Sequence, residues 1–63
     1  MQGKLLKISG KNLTFQDQFG RNITLPVEKD HLSFLDSAIE NLGTEFVVAT
    51  VEGKIVDMKI VSS

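Results

Sequence analysis

One histidine, no cysteine, eight carboxylates and seven lysine or arginine side chains are the reactive inventory of this 63-residue chain. Nucleophilic catalysis needs a nucleophile beside a positioned base, and without cysteine the only histidine-dependent arrangement would join His31 to a serine. His31 falls in the apolar arc at the start of a helical pattern, so it is expected as a partly buried or capping residue, with a pH-sensitive contact as the alternative. Glu28, Asp30, Asp36 and Glu40 belong to the same segment, where carboxylates on the first turn favour the helix dipole. A zinc site or an EF-hand needs ligands at fixed spacing. A phosphate loop needs clustered glycines running into Lys-Ser or Lys-Thr at a helix start. Neither pattern is present in the sequence, and the expectation is a non-enzymatic protein using neither metal nor cofactor.

One phrase occurs twice, ten residues apart: Gly10-Lys11-Asn12-Leu13-Thr14-Phe15 and Gly20-Arg21-Asn22-Ile23-Thr24-Leu25. Gly3-Lys4 and Gly53-Lys54 begin other alternating stretches in the same way. Glycine supplies the positive φ of a turn, asparagine suits its exit, and threonine is a good outward residue of a strand. The phrase is therefore read as a turn-and-strand unit used twice in preference to a duplicated ligand site. Asn12-Leu13-Thr14 and Asn22-Ile23-Thr24 also match the glycosylation acceptor pattern, which is taken as a by-product of the turn chemistry.

The chain is near neutral, with a net charge of −1 and a pI of about 5.6. Such a balance gives no global field for nucleic acid or an anionic membrane, so binding of that kind needs a local patch. The stretch MQGKLLKISG lacks the apolar centre of a secretory signal. No run approaches the roughly 18 apolar residues of a membrane span. A soluble cytoplasmic protein with no membrane partner is expected, and the lack of cysteine fits a reducing compartment.

The periodicity predicts five strands and one helix. In the first, Lys4 to Ser9, Leu6 and Ile8 share the inner face while Leu5 points outward. Leu13 and Phe15 face inward in the second, and Ile23, Leu25 and Val27 in the third, where Pro26 marks an edge or a strand terminus because proline cannot donate to a ladder. The fourth, Glu45 to Val51, is apolar on both faces and reads as a strand covered on both sides. Glu52-Gly53 supplies a hairpin turn, and the fifth runs from Lys54 to about Val61 with Val56, Met58 and Ile60 inside. Between the third and fourth, EKDHLSFLDSAIENLG reads as a helix capped by Asp30 or Ser33 and stopped by Gly43. Its apolar residues, among them Leu32, Phe34, Leu35, Ala38 and Ile39, span an arc of about 160°.

The expected protein is a single small, mainly β domain over residues 1–63, a five-stranded curled sheet or barrel of order β-β-β-α-β-β. That order resembles OB-fold barrels, in which a helix sits between the third and fourth strands and plugs one end. An SH3-like barrel with a helical insert fits the same pattern. The OB-like resemblance implies single-stranded nucleic-acid binding on the face of the second and third strands and the hairpin loops. On this chain that set is Lys11, Asn12, Thr14, Gln16, Phe19, Arg21, Asn22 and Lys54. Single-strand binding wants aromatic stacking in a basic groove, yet Phe15 and Phe46 are expected in the core and Phe34 on the apolar helix face. Phe19 is expected to fold back over the open end of the barrel.

A 63-residue domain buries only about 60% of the surface of its unfolded chain. A two-sided fourth strand, an outward Leu5 and a broad apolar helix face exceed what one small interior holds. The leading expectation is therefore a protein-interaction module, self-associating or docking on a larger protein through Leu32, Phe34, Leu35 and Ala38 or through an exposed strand edge. Nucleic-acid binding stands as the alternative.

Overall fold

The structure is a computed structural model that describes residues 1–61. Five strands form one antiparallel sheet, β1 (Gln2–Ser9), β2 (Asn12–Gln16), β3 (Asn22–Pro26), β4 (Glu45–Val51) and β5 (Lys54–Ile60), in the order β3-β2-β1-β4-β5. A 3-10 turn, Lys29–His31, and helix α1, Ser33–Glu40, lie between β3 and β4. The mainly β order and the single inserted helix are those expected, and the sheet curls without closing. Its two edge strands meet at one parallel bridge, Val27 to Ile55, where the Glu28 N–H donates to the Ile55 carbonyl at 2.9 Å. None of the described helices is long and apolar enough to cross a membrane.

Two bulges decide which side chains enter the core. Along β1 the pairs Lys4–Gln16 and Leu5–Phe15 are followed by Lys7–Thr14 and Ile8–Leu13, so Leu6 is an extra residue on the β1 side. An extra residue reverses the alternation and increases local twist. Leu5 and Ile8 consequently both point inward: Leu5 is fully buried and Ile8 packs against the core, whereas Leu6 is 40% exposed. The expected pairing of Leu6 with Ile8 on the inner face, and an outward Leu5, are thus corrected. The second bulge lies between β4 and β5, where Ala49–Asp57 is followed by Thr50–Ile55 and Val56 is the extra residue. It brings Ile55 fully into the core beside the partly buried Met58. Val56 is not the regular inner residue expected, and Ile60, opposite the buried Phe46, remains half-exposed at the end of the ladder.

The fourth strand is likewise one-sided. Phe46 and Val48 are buried, but Val47 and Val51 on the other face are exposed. The double-faced apolar pattern reflects β-branched propensity and not cover on both sides. The core gathers Leu5, Leu13, Phe15, Val27, Ala38, Phe46, Val48 and Ile55, with the Phe15 and Phe46 rings edge-to-face at 6.3 Å between centroids. Pro26 ends β3 on the sheet edge, as its missing N–H requires.

The helical segment is shorter than its apolar pattern. Glu28, and neither Asp30 nor Ser33, provides the first cap, accepting the Asp30 N–H at 2.8 Å. Leu32 precedes α1 without any side-chain cap, and Gly43, with φ of 85°, turns the chain toward β4. The Gly43 N–H donates to the Leu5 carbonyl at 2.8 Å, and the Leu5 N–H to the Thr44 carbonyl at 2.9 Å. These bonds continue the β1–β4 pairing up to the bulge and fix where the helix ends.

Candidate nucleic-acid interface

The β1–β2 and β2–β3 registers settle which side chains share the outer face of the three-stranded half. Lys4, Lys7 and Ser9 lie opposite Gln16, Thr14 and Asn12, which in turn face Asn22, Thr24 and Pro26. Because Leu13 and Phe15 are buried inside, Asn12, Thr14 and Gln16 face outward. This face is polar and basic. Residues 1–27 hold four cations, Lys4, Lys7, Lys11 and Arg21, against the one carboxylate of Asp17. Residues 28–63 hold three cations against seven carboxylates. The net charge of −1 conceals a chain of two signs, with the positive one on β1 and on the turns at the two ends of β2 and the negative one concentrated in residues 28–44, where Glu28, Asp30, Asp36 and Glu40 face Lys29 alone.

The turn from β2 to β3 is built on Asp17. Its Oδ1 accepts the N–H groups of Phe19 and Arg21, each at 2.9 Å, and its Oδ2 accepts Arg21 Nε at 2.8 Å. The Gly20 N–H closes the turn on the Asp17 carbonyl at 3.0 Å, with Gly20 at a φ of 82° that an L side chain adopts only with strain. The Arg21 backbone N–H is the main cause of an Asp17 pKa below the usual carboxylate range, reinforced by the Arg21 side chain and the Phe19 N–H. With its carboxylate occupied by Arg21 and Phe19, Asp17 orders the turn.

Phe19 does not fold back over the sheet. It is 74% exposed at the tip of the turn, with the Arg21 guanidinium carbon 5.3 Å from its ring centroid, a cation–π distance. The short Asp17 turn holds its backbone away from the core, so solvent exposure of the ring follows from the turn geometry.

The eight residues expected for nucleic acid form a strip and not a cluster. Asn12, Thr14, Gln16 and Asn22 occupy its middle. Phe19 and Arg21 stand at one end. Lys11 and Lys54 are at the other, because the Lys11 carbonyl accepts the Val27 N–H at 2.9 Å and Val27 bridges Ile55, the neighbour of Lys54. Five residues of β2 separate the two ends by about 17 Å. Lys4 and Lys7 extend the strip sideways. Neither was among the expected residues, although the imbalance between residues 1–27 and 28–63 is countable in the sequence.

The proposed protein-docking residues lie differently from expectation. Ala38 is fully buried, and Phe34 and Leu35 pack against the core. The His31 ring stacks flat on Phe34, with centroids 5.4 Å apart and an interplanar angle of 5°. Of the named set, Leu32 alone is exposed, at 36%, while Ile39 and Leu42 are the most exposed apolar residues of the segment. The helix therefore uses most of its apolar arc to cover the sheet.

Fold and surface together define a small, mainly β domain, a curled five-stranded sheet that does not close, with Lys4 and Lys7 on the outer face of its β1–β3 half. No protein-family model matches the chain, and no curated protein or solved structure matches it.

Proposed function

We propose that this protein is a non-enzymatic module that binds single-stranded nucleic acid across the outer face of β1, β2 and β3. The observation that carries the reading is the separation of charge: Lys4, Lys7, Lys11 and Arg21 lie on one half of the sheet whose only carboxylate before residue 28, Asp17, is engaged by Arg21. A phosphate backbone needs such a stripe of cations, and its unpaired bases need a π surface. Phe19 supplies one, and the hydroxyl and amide groups of Thr14, Thr24, Gln16, Asn12 and Asn22 offer both donors and acceptors. Lys11 and Lys54 extend the contact at the far end of the strip.

The test is fluorescence anisotropy with a mixed-sequence single-stranded 12-mer over a series of salt concentrations. Three or four neutralised phosphates give a log–log slope of about −2 to −3. Replacing Lys4, Lys7 and Lys11 together by glutamine is expected to weaken binding and flatten that slope. Loss of affinity with an unchanged slope, or no binding at low salt, would discard the reading.

A second reading rests on Ile39 and Leu42, which are 61% and 54% exposed. Exposed apolar side chains at the end of α1 and in the turn after it suit contact with a protein partner or a second copy. Ile39→Glu is expected to shift a concentration-dependent sedimentation profile toward the slower species in that case. A profile that is independent of concentration in the parent protein argues against self-association.

A further inference from the structure

A row of polar side chains crosses four strands of the outer face: Asn22 on β3, Gln16 on β2, Lys4 on β1 and Glu45 on β4, each opposite the next in the ladder. Beside it lies a cleft of about 200 Å³ lined by Gln2, Lys4, Gln16, Gln18 and Glu45, with Gly3 and Asp17 completing its wall. Gly3 keeps the strands close there. A Cβ on it would meet the Gln16 carbonyl oxygen at 3.0 Å and the Phe15 Cβ at 3.1 Å.

The chemistry of the cleft is specific. Three of the acceptor positions of Asp17 are taken by Phe19 and Arg21, two on Oδ1 and one on Oδ2. Glu45 receives the Gln2 side-chain amide on Oε2, which orients the carboxylate and leaves Oε1 open. Lys4 is directly opposite Glu45 in the ladder. Even so, the only ion pair among the described residues is that of Arg21 with Asp17. An ammonium donor and a carboxylate acceptor thus stand side by side without satisfying each other. Next along the chain from Gln18 is the exposed ring of Phe19.

We infer that this cleft takes the edge of one unpaired guanine base, with Lys4 donating to its O6 and Glu45 accepting from its N1–H and N2–H, while Phe19 offers a stacking face nearby. Guanine presents an acceptor beside donors, the pattern that matches a neighbouring ammonium and carboxylate. Adenine and cytosine place a donor where Lys4 needs an acceptor, and thymine, which shares an acceptor O4 beside N3–H, offers Glu45 one donor where guanine offers two. Single-stranded recognition proceeds through such splayed-out edges. This inference rests on the nucleic-acid reading and adds base selectivity to it.

The experiment compares 12-mer deoxycytidine strands carrying one central guanine, adenine or thymine, together with guanosine monophosphate alone. A well-made polar pair discriminates by roughly 5- to 160-fold, and the guanine strand is expected to bind tighter by a factor in that range. Glu45→Gln, which keeps the shape and replaces an acceptor by an amide, is expected to bring the guanine-to-adenine ratio near unity while the circular dichroism spectrum is retained. Equal, salt-dependent binding of all three strands would overturn the guanine subsite and leave the nucleic-acid reading standing. No binding by any strand or by the nucleotide would overturn both. Binding of the nucleotide with shifts at the amides of residues 2–4, 16–18 and 45, but no binding of strands, would support the guanine chemistry and assign it to a free nucleotide.

Discussion

Thr14 and Thr24, the same position in the two copies of the repeated phrase, face each other across the β2–β3 ladder with hydroxyl oxygens 2.9 Å apart. Two segments ten residues apart fold onto each other as an antiparallel hairpin, and in such a hairpin only one pair of equivalent positions can coincide. The repeat therefore meets itself at a single outward hydroxyl pair, and Gly10 and Gly20, both at positive φ, make the turns that precede each copy. A double-mutant cycle of Thr14→Ala and Thr24→Ala, followed by urea unfolding, is expected to give a coupling of roughly 0.2–1 kcal/mol. Strict additivity would mean that the hydroxyl pair adds nothing to the hairpin.

The β1 bulge makes adjacent leucines unequal. Leu5→Ala removes a fully buried side chain and is expected to cost about 2–5 kcal/mol. A domain of this size has roughly 3–9 kcal/mol in total, so the variant should be largely unfolded at moderate denaturant. Leu6→Ala, at the bulge and partly exposed, should change stability by no more than about 0.5 kcal/mol. Comparable losses for the two would place the bulge elsewhere.

Glu52 and Gly53 both have positive φ, 54° and 77°, as the two central residues of a type I′ hairpin turn require. Glutamate adopts this conformation at a cost that asparagine largely avoids. Glu52→Asn is expected to raise stability by about 0.5–1 kcal/mol, seen as an increase in Tm of about 2–8 °C. Gly53→Ala should move Tm in the opposite direction.

Asp17 carries the pH dependence of the β2–β3 turn. Its pKa is lowered in the folded protein, chiefly by the Arg21 N–H. The contribution to stability is complete above the ordinary aspartate value of about 3.9 and is lost as pH falls through the lower folded value. A carboxyl-detected NMR titration is expected to place the Asp17 midpoint below that ordinary value, with the Phe19 and Arg21 amides moving at the same midpoint. A normal midpoint, or amides that do not follow it, would show that the turn is held by other means.

Gly3 sits where strands approach closely. Gly3→Ala places a methyl at 3.0 Å from a backbone oxygen, and overpacking of that kind costs about 1–3 kcal/mol. Thermal unfolding of this variant is expected to come clearly before that of the parent. An unchanged Tm would mean that β1 and β2 can separate there without loss.

By itself the sequence determined the element order. Alternation at period two, the Glu52-Gly53 turn, the edge proline and the helical pattern between the third and fourth strands are local features, set by backbone sterics and the spacing of apolar residues. It also held the opposite charge of its two parts, which is a matter of counting. Tertiary structure decided the rest. Leu5 against Leu6 and Ile55 against Val56 are equally apolar neighbours, and only the pairing partner reveals which residue is the extra one in a bulge. The twist that these bulges add brings Val27 to Ile55 and curls the sheet until the helix can cover its inner face. That curl buries Ala38 and partly covers Phe34 and Leu35, which the helical pattern alone left free for a partner, and the Asp17 turn exposes Phe19, which hydrophobicity alone would have hidden. Lys4 and Glu45 are 41 residues apart in the chain, and they become neighbours only through the β1–β4 register, because ladder pairing between distant segments is not encoded in the spacing of either one.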